Sequence, residues 1–144
     1  MSSKPTESQI CSEQTVPLLL DTHLLLWAAY EPEKLSAEAN ERISDVSTSL
    51  MFSAASIWEV SIKSSLARSD FTINPRILRR GLLDNGYREL PITSTHAIAV
   101  KDLPAIHQDP FDRILVAQAR TEGLELLTAD SKVVAYGEPV VGVG

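Results

Sequence analysis

The chain has 144 residues, of which 44% are hydrophobic, with three histidines, one cysteine and a formal charge of −6. That is one domain's length with enough apolar residues for a core, and it excludes fibres, collagen and wholesale disorder. Cys11 alone cannot form an internal disulfide, and His23, His96 and His107 are too widely spaced for a zinc pattern. The acidic balance is unlike that of most nucleic-acid binders. Residues 60–88 nevertheless carry Lys63, Arg68, Arg76, Arg79, Arg80 and Arg88 against Asp70 and Asp84. That local excess suits a phosphate backbone, an acidic partner or a solvated helix face.

Residues 1–16 are polar and lack the apolar run of a signal peptide, so they read as a flexible extension ahead of a domain over 17–144. Apolar runs elsewhere fall far short of the roughly 20 residues of a membrane span, which predicts a soluble, cytoplasmic protein without membrane contact. Leu18, Leu19 and Leu20 form a short buried strand that ends at Asp21. A helix is predicted over 23–30, interrupted near Pro32, and a second over 36–46 capped by Ser36. A strand over 50–53 leads into a helix over 55–67. Pro75 opens a helix over 75–85 that Gly86 closes. Then follow a strand over 88–92, a short helix over 94–100, a long helix over 110–122 ending at Gly123, and a strand over 124–128. A short helix over 131–136 and a strand over 139–143 complete the chain. Short apolar strands alternating with helices predict an α/β fold with a central, mainly parallel five-stranded sheet flanked by helices.

Ligands in such folds sit at the carboxyl edge of the sheet. Asp21 ends the first strand and Asp130 follows the fourth. Glu59 lies in the first turns of the helix after the second strand, and Asp112 in the first turn of the helix before the fourth. All four acids are thereby directed to one edge, although 38, 53 and 18 residues separate them in sequence. Each also has a local structural reading. Asp21 and Asp130 suit helix caps, and Ser56-Ile57-Trp58-Glu59 matches a capping box, with Glu59 placed to pair with Lys63. Asp109-Pro110-Phe111-Asp112 reads as an N-cap, a first-turn proline and an acid suited to the helix dipole. Four converging carboxylates repel one another, and their cluster of hard oxygen ligands suits Mg²⁺ or Mn²⁺. Such a site activates water and stabilises charge on a phosphoryl group. No G-x-S-x-G motif occurs, and the six glycines, read as following helices or strands, form no phosphate-cradling loop.

Four stretches resemble the PIN-domain nucleases, and within them the VapC-type toxins of toxin–antitoxin pairs. They are Leu18-Leu19-Leu20-Asp21-Thr22-His23, Ser53-Ala54-Ala55-Ser56-Ile57-Trp58-Glu59-Val60, His107-Gln108-Asp109-Pro110-Phe111-Asp112-Arg113 with the following 114–119, and Leu126-Leu127-Thr128-Ala129-Asp130. The resemblance covers about residues 18–143. It implies a metal-dependent endoribonuclease in which Asp21, Glu59, Asp112 and Asp130 bind Mg²⁺ or Mn²⁺, and in which metal-activated water cleaves RNA. It also implies a cognate antitoxin and a homodimer. Thr128 matches a hydroxyl position beside the last acid, orienting that acid or a bound water. Asp109 is a supporting acid or a helix cap, and Arg113 pairs with a neighbouring carboxylate or touches phosphate. His23 and His107 are read as structural, Trp27 and Trp58 as core. Two other readings are a catalytically silent PIN-like interaction module and a haloacid-dehalogenase-type phosphatase. The latter wants an acid two residues after Asp21, where this chain has His23.

Overall fold

A computed structural model describes residues 16–66 and 72–144. The extension predicted over 1–16, apart from Val16, and the end of the helix predicted over 55–67 lie outside the described residues.

Five strands form one sheet: β1 (Leu18–Leu20), β2 (Leu50–Ser53), β3 (Arg88–Leu90), β4 (Glu125–Thr128) and β5 (Val140–Gly142). Every pairing is parallel, in the order β3-β2-β1-β4-β5. The helices are α1 (Thr22–Tyr30), α2 (Ala37–Ser44), α3 (Ala54–Ser65), α4 (Pro75–Asp84), α5 (Ser94–Ala99), α6 (Pro110–Glu122) and α7 (Ser131–Val134). Among the described residues, no helix is long and apolar enough to cross a membrane.

Strand alternation divides the core. Leu18, Leu20, Phe52 and Leu127 point to one face, where they pack with Leu24, Leu25, Val60, Leu78 and Leu82 of α1, α3 and α4. Leu19, Met51 and Leu126 point to the other, against Leu115, Val116 and Ala119 of α6 and Val133 of α7. All three residues of β1 have zero exposure. A strand covered on both faces must be apolar at every position, which is why three consecutive leucines mark the middle of the sheet.

The chain first builds outward from β1 to β2 and β3. It then returns through α5 and α6 to the opposite side of β1 and adds β4 and β5. The direction of winding therefore reverses between β1 and β4. In an open parallel sheet that reversal leaves a crevice outside the carboxyl ends of the two strands.

Several helix ends differ from the sequence reading by one or two residues, as flanking caps do. Two differences have local causes. Ser36 caps α2 as expected, but the helix stops at Ser44, and Asp45 bonds the backbone N–H and hydroxyl of Ser47 to turn the chain. Gly81 lies within α4, not after it, and has open space where a Cβ would sit. Gly86 and Gly123 do close their helices, with φ of 89° and 70°, a backbone region that favours glycine.

Candidate metal centre

Asp21 is the residue after β1, and its backbone N–H extends the pairing by donating to the Leu127 carbonyl at 3.1 Å. Its side chain is buried and caps α1, with Oδ1 accepting from Leu24 N at 2.9 Å. Oδ2 accepts from the buried Thr128 hydroxyl at the end of β4. Thr128 Oγ1 also accepts from Asp130 N at 3.0 Å. Thr128 therefore orients Asp21 directly and fixes the backbone of Asp130, whose own side chain caps α7 through Lys132 N.

Glu59 reaches the crevice from α3. The capping box read at Ser56-Ile57-Trp58-Glu59 does not form. Ser53 is the cap, accepting from Ala55 N, and Ser56 lies buried within the helix and accepts from the Thr22 hydroxyl at 2.9 Å. This earlier start places Glu59 in the second turn, inward, where it pairs with Lys63 at 2.9 Å. The same helical phase turns the neighbouring Trp58 outward. It is 57% exposed and packs edge-on against Phe111, with ring centroids 5.1 Å apart, so it is not the core residue expected. Trp27 is partly buried against the core.

Asp109 caps α6 as read from the sequence, accepting from Phe111 N and Asp112 N at 2.8 and 3.3 Å. That cap sets the phase of the first turn and directs Asp112 to the crevice. Arg113 adopts neither role expected of it. Its guanidinium donates to the carbonyls of Val100, Pro104 and His107 and to the Tyr136 hydroxyl, at 3.0–3.3 Å. The Tyr136 hydroxyl in turn accepts from His107 N at 3.1 Å and donates to His107 O at 3.2 Å. Arginine's planar fork suits a loop of converging carbonyls as well as it suits a carboxylate.

The result is a cleft of about 260 Å³ lined by Asp21, Glu59, Asp109, Asp112 and Asp130, with Thr22, His23, Lys63, His107 and Lys132 completing its wall. All four acids singled out from the sequence meet here. Within the cleft they divide: His107, Asp112 and Asp130 offer ligand atoms that all lie within 4.8 Å of one another, whereas Asp21 and Glu59 are outside that tight group. His107 Nε2 stands 2.9 Å from Asp112 Oδ2, so this histidine belongs to the cleft. Sequence reading missed it because its partner is five residues away across a loop, a separation without a helical or strand signature.

The electrostatics fit a cation. Burial pushes the Asp112 carboxyl up to about 6, aided by the charges of Asp109 and Asp21 and opposed by His107. Asp21 is also raised, chiefly by burial, against the pull of its bonds from Thr128 and Leu24. Buried carboxylates that repel one another favour protons in the absence of a stronger cation. The oxygen-rich donors with one imidazole suit Mg²⁺ or Mn²⁺.

A model of the PIN domain matches residues 18–139. Among known proteins, the chain is 29% identical over 123 residues to Ribonuclease VapC22 of Mycobacterium tuberculosis, an alignment covering 85% of this chain and 93% of that protein. In fold it is similar to the DNA-bound VapBC of Salmonella typhimurium, with a TM-score of 0.63 at 14% identity, covering 90% of this chain and 98% of that one. It is similar also to a toxin–antitoxin complex from Klebsiella pneumoniae, with a TM-score of 0.60 at 21% identity, covering 86% and 95% of the two chains. A family match from β1 almost to β5, over a sheet whose winding reverses beside an acidic cleft, places this chain in the PIN-domain family.

Proposed function

We propose that this chain is a metal-dependent endoribonuclease and the toxin of a toxin–antitoxin pair. The observation that carries the reading is the gathering of Asp21, Glu59, Asp112 and Asp130 in one cleft at the carboxyl edge of the sheet. The likeness to Ribonuclease VapC22 across most of both chains supports RNA as the substrate.

In this reading Asp21, Glu59, Asp112 and Asp130 would hold Mg²⁺ or Mn²⁺. When bound, the ion would supply Lewis acidity, lowering the pKa of water and stabilising charge on the phosphoryl oxygens. Thr128 fixes the direction of the Asp21 carboxylate and the position of Asp130, which preorganises the donors. Asp109 holds the first turn of α6 and through it Asp112, so its role is support. Lys63 restrains Glu59, and Lys132 adds positive charge to the wall of a cleft that must admit a phosphate.

The toxin assignment brings an antitoxin partner, a homodimer and a cytoplasmic setting. The proposed partner surface is the exposed side of α4. Ile77 and Leu82 of α4 line an apolar groove of about 550 Å³ with Tyr30 and Ile43, and the same helix carries exposed Arg76 and Arg80, while Arg79 is engaged by Glu89. An acidic segment with apolar side chains matches both features.

The test is incubation of purified protein, freed of bound partner, with total cellular RNA and Mg²⁺ or Mn²⁺, beside an Asp21→Asn variant. Discrete fragments from wild type alone support the reading. Cleavage by both samples traces the activity to a contaminant. Absence of Mn²⁺ binding overturns the reading in favour of a silent interaction module, and hydrolysis of a small phosphate ester but not of RNA overturns it in favour of a phosphatase.

A further inference from the structure

We propose that His107 is a direct ligand of the divalent ion, together with Asp112 and Asp130, and that its nitrogen biases the centre toward Mn²⁺ over Mg²⁺. The inference rests on the reading of the cleft as a metal centre and goes beyond its four carboxylates.

The first support is distance. His107 Nε2 and Asp112 Oδ2 are 2.9 Å apart, and a carboxylate oxygen of Asp130 completes a triad within 4.8 Å. Adjacent ligands of an octahedral ion with bonds of about 2.1 Å stand roughly 3 Å apart, so nitrogen and oxygen are already at the spacing of a shared ion.

The second support is how the histidine is held. His107 lies on the segment between Asp102 and α6, outside regular structure. Its backbone N–H and C=O are both bonded to the Tyr136 hydroxyl, and its carbonyl also accepts from Arg113. Arg113 ties the same segment down at Val100 and Pro104. The Arg113 guanidinium from α6 and the Tyr136 phenol from the turn after α7 thus converge on one loop residue whose ring meets Asp112. A histidine needed only to fill space requires no such cradle, whereas a ligand must be held within a fraction of an ångström.

The third support is chemistry. Imidazole suits transition ions, while Mg²⁺ prefers carboxylate, carbonyl and water oxygens. A mixed His-Asp-Asp set therefore selects the softer of the two ions implied by the acids. His96 cannot substitute, since it is fully buried against Glu122 at 2.7 Å, and His23 lies exposed on the cleft wall without belonging to the triad.

The test is pulsed electron paramagnetic resonance on the intact protein loaded with Mn²⁺, which detects a directly bound nitrogen through its nuclear coupling. The expected result is a ¹⁴N coupling in wild type that changes to ¹⁵N when the histidines are isotopically labelled. It should vanish in His107→Ala and persist in His23→Ala. The ratio of Mn²⁺ to Mg²⁺ affinity should fall in His107→Ala. Bound Mn²⁺ without nitrogen coupling in wild type overturns the proposal and leaves His107 as a hydrogen-bond partner that orients Asp112. Coupling that survives in His107→Ala also overturns it. If wild type binds no Mn²⁺, the metal centre itself is refuted and the proposal falls with it. The wild-type isotope experiment decides the question even where a variant folds poorly.

Discussion

Thr128 and Asp21 are 107 residues apart in sequence, yet one hydroxyl joins them at the ends of adjacent strands. The same oxygen accepts from Asp130 N, so a single side chain spans the crevice between β1 and β4. Replacing it with valine keeps the shape and removes both bonds. Thr128→Val should lower RNA cleavage by about 10–100-fold, as loss of an outer-shell partner does. It should also reduce stability by about 1–3 kcal/mol, because a buried acceptor and a partly buried donor lose their partner. Cleavage assays and thermal melts check both, and Thr128→Ser should restore activity. Undiminished cleavage by the valine variant would refute the positioning role.

Asp21→Asn separates charge from structure. Asparagine caps helices about as well as aspartate, so α1 should form normally. The substitution removes a carboxylate that burial already disfavours. Cleavage should be abolished, while the metal-free melting temperature stays the same or rises. A folded variant with full activity would contradict the assignment of Asp21.

The raised carboxyls give a stability profile with a definite sign. Asp112, facing Asp109, Asp21 and His107, is raised from 3.8 to about 6, and Asp21 is raised in the same direction. Between those values the folded chain binds more protons than the unfolded one, so stability falls as pH rises through about 6. Metal-free protein should melt at a higher temperature near pH 5 than near pH 7.5. Mn²⁺ bound at the ionised carboxylates, as proposed, should reverse that order, with affinity falling as pH drops below about 6. Melts in chelator and in Mn²⁺ across this range provide the check. A metal-free profile that rises with pH over this window would show that the cluster does not dominate.

Arg113→Lys should loosen the loop that carries His107. A lysine ammonium offers three donors on one atom and cannot reach the carbonyls of Val100, Pro104 and His107 together with the Tyr136 hydroxyl. A loss of about 1.5–3 kcal/mol is expected. Amide hydrogen exchange over residues 100–107 should accelerate while that of β1 is unchanged. Unaltered exchange in this loop would remove the clamp from the account of the site.

The sequence carried the features that depend on chain direction and period. Three consecutive leucines identified the central strand, because burial on both faces demands an apolar residue at every step. Asp109-Pro110 fixed the start of α6, since a cap followed by a first-turn proline leaves little freedom of phase, and Asp112 then fell where expected. In α3 the sequence reading expected both neighbours inside, Glu59 as a site acid and Trp58 as core. One residue rotates a helical side chain by about 100°, and in the helix capped by Ser53 it is Glu59 that faces inward and Trp58 outward. Arg113 escaped for a different reason: its partners are backbone carbonyls and a distant tyrosine hydroxyl.

Asp21, Asp109 and Asp130 each begin a helix, and each also lines the cleft. That shared duty shapes how a lineage can drift. Alanine at any of the three removes a cap, at roughly 0.5–2 kcal/mol, from a domain with little stability to spare. Asparagine keeps the cap and discards the charge. A descendant released from selection for cleavage therefore decays most easily through asparagine, retaining its fold after its chemistry is gone. The border between an active member of this family and an inert binding protein is then as narrow as one oxygen exchanged for one nitrogen.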